Sequence, residues 1–476
     1  MSIVKKVSTL TFGRGLNILI NFLFLPYMAR MLSYEDYGSY GQVLLIVSFA
    51  LAFLTLGLPQ ILYVYLSKEG ADKNAVFSSN VLSLSILGFL GAIILFALST
   101  LMAAWFENPQ ISFLLKIYAW ALVFQMPFES IVSWLIYNGK VKAVALVSVF
   151  SNLLKVALVV TVVQLYESVE LVFYSILVTT IAQFGVALYL ARRHFVKYIE
   201  LKATIQQIKD GLPLGLTALF GTGILYIDGI MVSSMLGVES YAIYRNGAIE
   251  VPFVSTIYAS IAAIILPEVS KLFSKNKLDE IVKLKSRVIM NSMGLIYPIL
   301  VFLLFNSRDF ILVYLGEQYK ASAIIFLIFN LTLLIRVNRH SDILIAANKG
   351  KIILGVNLFV FILNIGLNYI LIEQWGRLGA AMSTVFAIFV LTALLLFYSV
   401  KLLNTSIFKL ISVKKMTEIF LISLAGVFIT ELIELGEGNE FYELGVKLFV
   451  YSTLVYFYIL KRDLIEKKIL NKILPL

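Results

Sequence analysis

Lys155 stands near the middle of an apolar run, 143–166, and shares that run with Ser148 and Asn152. The spacing i, i+4, i+7 puts the three on one face of a helix. A cation set among amide and hydroxyl groups can hold an anion. Lysine supplies a point charge and arginine a planar fork, and both suit phosphate. Arg14, Asn17 and Asn21 make a like stripe in run 10–31, and Asn357, Asn364 and Asn368 make another in run 352–372. Arg336 and Arg339 share a face of run 322–345, with Asp342 a turn further on. The substrate-binding candidates are therefore the cations Arg14, Lys155, Arg336 and Arg339. Asn17, Asn21, Asn152, Asn364 and Asn368 are candidate polar lining. Each asparagine has a second reading, as hydrogen-bonded glue between helices. An Arg339–Asp342 pair would likewise remove one cation from the set.

The acids Glu129, Asp228, Glu250, Asp342 and Glu431 also fall inside apolar runs. Asp228 and Glu250 lie at similar depths in adjacent runs. Either can bind H⁺ or Na⁺ and couple transport to an ion gradient; pairing with Arg245 is the structural reading of Glu250. Other chemistry finds no residues. There is no Cys, and the two histidines, His194 and His340, are far apart, so no metal site or thiol chemistry is expected. No G-x-x-x-x-G-K phosphate loop occurs. No cofactor is expected.

The elements that carry these residues follow from composition. Of 476 residues, 60% are hydrophobic and 14% charged, and mean hydropathy is +0.92. A soluble domain has about 25% charged residues, so this chain cannot cover a water-facing surface. It is expected to be an all-α integral membrane protein, because helices satisfy their own backbone groups in lipid. Fourteen runs long enough to span occur at 10–31, 38–66, 75–104, 113–137, 143–166, 170–191, 211–236, 241–266, 288–306, 322–345, 352–372, 378–400, 416–433 and 442–460. The first run is too long for a signal-peptide core and has no cleavage pattern, so it reads as a retained helix.

Charge sets the expected topology. If the segments alternate from a cytoplasmic N-terminus, the cytoplasmic pieces hold 28 Lys and Arg, against Arg308, Lys320 and Arg377 outside. That is a strong positive-inside pattern, with both termini cytoplasmic. The net charge of +11 is then explained by topology and anionic membrane lipids, and nucleic acid is not an expected partner. Arg30, Lys116 and Lys447 lie near run ends and are expected to snorkel to the headgroups. Segments 192–210 and 461–476 mix basic and apolar residues and read as helices lying on the cytoplasmic face.

The chain also echoes itself. Residues 31–41, MLSYEDYGSYG, match 235–245, MLGVESYAIYR, at five positions. Leu58-Pro59-Gln60 pairs with Leu266-Pro267-Glu268, and Gly139-Lys140 with Gly350-Lys351. Three echoes in one order indicate a duplicated six-helix unit. Six is even, so the copies share an orientation and a pseudo-twofold runs along the membrane normal. The expected organisation is two six-helix lobes, 1–200 and 201–410, facing a central cavity, followed by two extra helices and a tail, 411–476.

In this layout the block Leu32-Ser33-Tyr34-Glu35-Asp36-Tyr37-Gly38-Ser39-Tyr40-Gly41, the segment Leu56-Gly57-Leu58-Pro59-Gln60 and the loop Leu315-Gly316-Glu317-Gln318-Tyr319 resemble the oligosaccharide flippase family. That family is the polysaccharide-transporter branch of the multidrug/oligosaccharidyl-lipid/polysaccharide exporter superfamily. The resemblance implies a bacterial inner-membrane flippase and no enzyme. Its cargo would be a polyprenyl-diphosphate-linked oligosaccharide, moved to the outer leaflet by alternating access for O-antigen or capsule assembly. The implied partners are that lipid-linked oligosaccharide, membrane lipids and a polysaccharide polymerase complex. Two other functions compete. A multidrug antiporter of the same superfamily would want acids and aromatics in its cavity and only twelve spans. A membrane glycosyltransferase or polymerase would want carboxylates or histidines in a large external loop.

Overall fold

The computed structural model describes residues 3–70, 72–196, 201–250, 254–336, 341–433 and 440–464; the side chains of residues 3–11, 203 and 255–264 are not described. Among the described residues the chain is helical throughout and has no strand. Among those residues, nine helices are long and apolar enough to cross a membrane on their own. The all-helical membrane architecture expected from composition is what the chain adopts.

The chain divides into two compact units, Met1–Ala242 and Ile243–Leu476. The first holds α1 (Ile3–Met31), α2 (Tyr34–Leu54), α3 (Leu58–Leu66), α4 (Lys73–Trp105), α5 (Gln110–Tyr137), α6 (Val141–Tyr166), α7 (Val169–Ala191) and most of α8 (Leu201–Gly247). The second holds the end of α8, then α9 (Val254–Ser274), α10 (Leu278–Phe305), α11 (Ser307–Leu315), α12 (Ser322–Asn330), α13 (Thr332–Ile335) and α14 (Ser341–Ala346). It continues with α15 (Gly350–Leu402), α16 (Ile407–Leu410), α17 (Val413–Thr430) and α18 (Glu440–Lys461).

Local chemistry sets several boundaries. Ser33 caps α2 by accepting the Asp36 N–H at 3.0 Å, and Asp72 caps α4 by accepting from Asn74 and Ala75. Such caps satisfy amides that a helix start leaves open. Gly57, at φ +69°, breaks the second span between α2 and α3, and its bare Cα faces the start of α8. A Cβ on Gly215 would lie 2.6 Å from the Leu56 carbonyl carbon and 2.7 Å from the Gly57 nitrogen. Gly211 and Gly215 thus let α8 touch the α2–α3 bend backbone to backbone.

Polar residues reinforce this contact. Asn80 Nδ2 donates to Leu58 O and to Gln207 Oε1, both at 3.1 Å, and the Ser130 hydroxyl donates to Asn80 Oδ1 at 2.8 Å. The hydroxyls of Ser79 and Thr204 are 2.6 Å apart. Residues 201–242 are therefore built into the first unit, and the boundary falls at 242 where a lobe ending at 200 was expected. Of segment 192–210, read as a helix lying on the cytoplasmic face, residues 197–200 lie outside the described residues. Residues 192–194 make one 3-10 turn, and residues 201–210 are the opening turns of α8. Thr204 and Gln207 are buried there. Segment 465–476 lies outside the described residues.

The two echoed segments meet. A Cβ on Gly38 would lie 2.5 Å from Val238 Cγ2, and the Tyr241 hydroxyl donates to Gly41 O at 3.2 Å. Nearby, Asn108 Nδ2 donates to Ser39 Oγ and Gln42 Oε1, while Gln42 Nε2 donates to Ser233 Oγ.

Two further expected spans are interrupted. Run 241–266 is divided where α8 stops at Gly247 and residues 248–250 leave the helix. Run 322–345 is divided into α12, α13 and α14, and Arg336 caps α13 with ψ +18°. Irregular backbone at membrane depth is tolerated where protein or a wet cavity satisfies it. Here Asn330 Nδ2 donates to Ile249 O at 3.0 Å, and the Tyr297 hydroxyl donates to Leu334 O at 2.7 Å.

Candidate functional site

In the first unit α1 and α6 run parallel. A Cβ on Gly13 would lie 3.0 Å from Ala145 Cβ. Asn17 Nδ2 donates to Ser148 Oγ at 2.7 Å, and the Tyr27 hydroxyl donates to Val160 O at 3.2 Å. The two polar stripes read from the sequence therefore face each other at Asn17 and Ser148. Lys155 lies two turns further along α6, half-buried. Among the described residues no carboxylate comes within ion-pair distance of it. Asn17 Oδ1 and Asn152 Nδ2 are buried without a hydrogen-bond partner among the described groups. The strip thus holds one uncompensated cation and two amide atoms free to bind. Arg14 and Asn21 are exposed.

Asp228 is buried in α8. It precedes Gly229, where a Cβ would meet Leu45 and the Tyr241 ring at 3.1 and 3.2 Å.

In the second unit the candidates separate. Arg336 Nη1 lies 3.7 Å from Glu250 Oε1, with the side chains 31% and 25% exposed. A substrate-binding candidate and an ion-coupling candidate thus face one another across the two helix interruptions. The continuous helical face assumed for Arg336 and Arg339 does not exist at Arg336, because α13 ends at Ile335. Arg339 lies outside the described residues. Asp342 pairs with Lys285, 3.3 Å away and buried. Asn364 Nδ2 donates to Ser383 Oγ at 3.1 Å, and the Ser383 hydroxyl donates back to Asn364 O at 3.3 Å. Those bonds join the two halves of α15 on either side of the non-helical Gly376, which is the glue reading. Asn357 and Asn368 are buried on the same face.

Sequence reasoning missed Lys285 and misread Lys447. Lys285 falls between runs 241–266 and 288–306, yet it sits inside α10 on the face of buried Ile281, Val288, Ile289 and Ser292. That helical spacing was the signal. Lys447 does not snorkel: it is buried, 2.8 Å from Glu443 and 3.8 Å from Glu431. The carboxylates hold it in place.

The fold and its buried polar stripes define an all-helical, multi-pass membrane protein. Comparison with known proteins narrows this. The chain belongs to the polysaccharide biosynthesis protein family, whose model matches residues 3–273. It is 22% identical over 410 residues to the capsular polysaccharide biosynthesis protein CapF of Staphylococcus aureus, covering 83% of this chain and 98% of that one. In fold it is similar to the lipid II flippase MurJ in an inward closed conformation. The TM-score is 0.76 at 19% identity, over 97% of this chain and all of that one. An inward-facing multidrug resistance MATE family transporter matches with TM-score 0.58 at 14% identity, over 85% and 95% of the two chains. The polysaccharide-transporter resemblance read from the loop motifs agrees with these findings.

Proposed function

We propose that the chain is a flippase that carries a polyprenyl-diphosphate-linked oligosaccharide from the cytoplasmic to the outer leaflet, by alternating access, for capsule or O-antigen type polymer assembly. The membrane is the bacterial inner membrane, and the lysine and arginine asymmetry supports cytoplasmic placement of both termini. The observation that carries the cargo class is Lys155: a half-buried cation inside a membrane helix, beside Asn152 and the Asn17–Ser148 contact, with no carboxylate partner among the described residues. An uncompensated charge at that depth is costly and calls for a function. A diphosphate supplies the missing counter-charge. The headgroup is held by Lys155 and Arg14, with Arg336 and Arg339 as further candidate cations, while the polyprenyl chain stays in lipid. No covalent chemistry is required of the protein. The oligosaccharide then passes to a polymerase outside. H⁺ or Na⁺ coupling is carried by Asp228 or Glu250, the second of which also faces Arg336.

The MATE likeness supports a second reading, ion-coupled export of cationic drugs. Purified protein in vesicles separates the two. Movement of a fluorescent polyprenyl-diphosphate oligosaccharide between leaflets, without antiport of cationic dyes, is the expected result. Dye antiport without lipid movement would overturn the flippase reading.

A further inference from the structure

The two internal ion pairs of the second unit differ in kind. Lys285 and Asp342 are 3.3 Å apart, hydrogen-bonded and enclosed. Arg336 and Glu250 are 3.7 Å apart, too far for a hydrogen bond, and each keeps about a quarter of its side chain or more exposed. Glu250 Oε1 accepts no hydrogen bond among the described groups. A settled arginine–carboxylate pair closes to roughly 2.7–2.9 Å, often through both prongs of the fork. This one does not.

Both residues sit where the backbone has left the helix. Glu250 follows the end of α8, and Arg336 caps α13. The backbone leading to Glu250 is anchored. A Cβ on Gly247 would lie 2.5 Å from Ile325 Cβ, so the end of α8 lies flat on α12. Asn330 holds Ile249 O, one residue before Glu250. Glu250 is thus presented by anchored backbone, while the two side chains are loosely joined and open on one side. Polar groups at this depth avoid lipid, so the open side faces water or other helices.

We propose that Glu250 is a built-in counter-ion of Arg336, occupying the guanidinium until a phosphate-bearing anion displaces it. This rests on the reading of the cargo as a diphosphate. The carboxylate lowers the cost of an arginine inside an empty membrane protein. It also sets a threshold: an anion must bind Arg336 better than Glu250 does. A diphosphate can, because it brings more charge and several oxygens to the fork. A singly charged phosphodiester headgroup gains less, so the pair selects for diphosphates over bulk phospholipid.

The test uses the full chain in nanodiscs and inorganic pyrophosphate as probe, measured by equilibrium dialysis. A pair closed nine-tenths of the time weakens apparent affinity about tenfold. Glu250→Gln is therefore expected to tighten pyrophosphate binding about three- to tenfold, and Arg336→Gln to weaken it. Glu250→Gln should change nothing when Arg336→Gln is already present. If the glutamine variant fails to fold, Glu250→Asp keeps the charge, shortens its reach and should tighten binding to a smaller degree. Unchanged or weaker binding in the folded Glu250 variants overturns the proposal, as does equal tightening with and without Arg336. Lipid movement in vesicles is read separately. A wild-type protein that moves the lipid-linked oligosaccharide while Glu250→Gln leaves pyrophosphate binding unchanged overturns the counter-ion and supports the flippase. Tightening without lipid movement supports the counter-ion and overturns the flippase.

Discussion

Lys285 and Asp342 are joined at 3.3 Å with side chains only 1% and 4% exposed, tying the first half of α10 to α14. α14 is the short piece that follows the interruption of the tenth span, so this pair sets its position. Removing one member leaves the other charge buried, which costs about 3–5 kcal/mol, whereas replacing both by apolar residues is close to neutral. Lys285→Ala should therefore lower the melting temperature and the yield of the purified protein sharply. Lys285→Met with Asp342→Leu should recover most of that loss. A double variant as damaged as the single one would show that the charges, and not the packing, are what the position needs.

Backbone contact between α8 and the α2–α3 bend gives a second expectation. A side chain at Gly215 would strike the backbone of Leu56 and Gly57, which cannot move aside as a side chain can. Overpacking of this kind costs roughly 1–3 kcal/mol. Gly215→Val should lower thermal stability by that order. Gly355→Ala in α15, where nothing lies within 4 Å of the new carbon, should be neutral or stabilise by up to about 1 kcal/mol. Equal behaviour of the two variants in a melting experiment would remove the case for close packing at Gly215.

What the sequence could reveal follows from the range of the forces. Helical period is local, so the stripes at Asn17 and Ser148 were visible as faces, and their meeting needed only that α1 and α6 be neighbours. Low charge made the membrane class plain. The interruption in run 322–345 was not legible, because no Gly or Pro marks it. It depends on distant groups, among them Tyr297, which satisfies Leu334 O. Lys285 was hidden differently. Lys283 and Arg287 flank it, and charge counting took all three for a loop. Only the period of Ile281, Val288 and Ile289 separates it from them. The partner of Gly211 and Gly215 lies some 150 residues away in sequence, at Gly57, beyond the reach of any local pattern.

Asp228 is one of the two acids proposed to couple transport. It is buried in α8, and the bend at Gly237 is the next departure from helical geometry along that helix. A buried carboxylate favours whichever cation neutralises it. Asp228→Asn should leave a folded, membrane-inserted protein whose lipid movement no longer responds to an imposed H⁺ or Na⁺ gradient. Parallel loss of abundance and movement would assign Asp228 a structural role instead.

Lys155 provides the most direct test of the cargo. Its level on α6 lies between two fixed points of the α1–α6 pair, Asn17 on Ser148 and Tyr27 on Val160, so the helix cannot rotate the ammonium away without breaking both bonds. No carboxylate among the described residues offsets it. Neutralising it therefore removes an insertion cost of about 2.5–3.5 kcal/mol at the bilayer centre and should not harm folding. A hydrogen bond to a charged group contributes about 1.5–3 kcal/mol, which corresponds to roughly ten- to hundredfold in a rate. Lys155→Gln should reduce lipid movement in vesicles by that factor while the melting temperature holds or rises. Lys155→Arg should be milder, because the charge stays and the guanidinium can still grip phosphate. Normal movement with Lys155→Gln would sink the assignment. So would a loss in Lys155→Arg as deep as in Lys155→Gln, since that would point to the shape of the lysine and not to its charge.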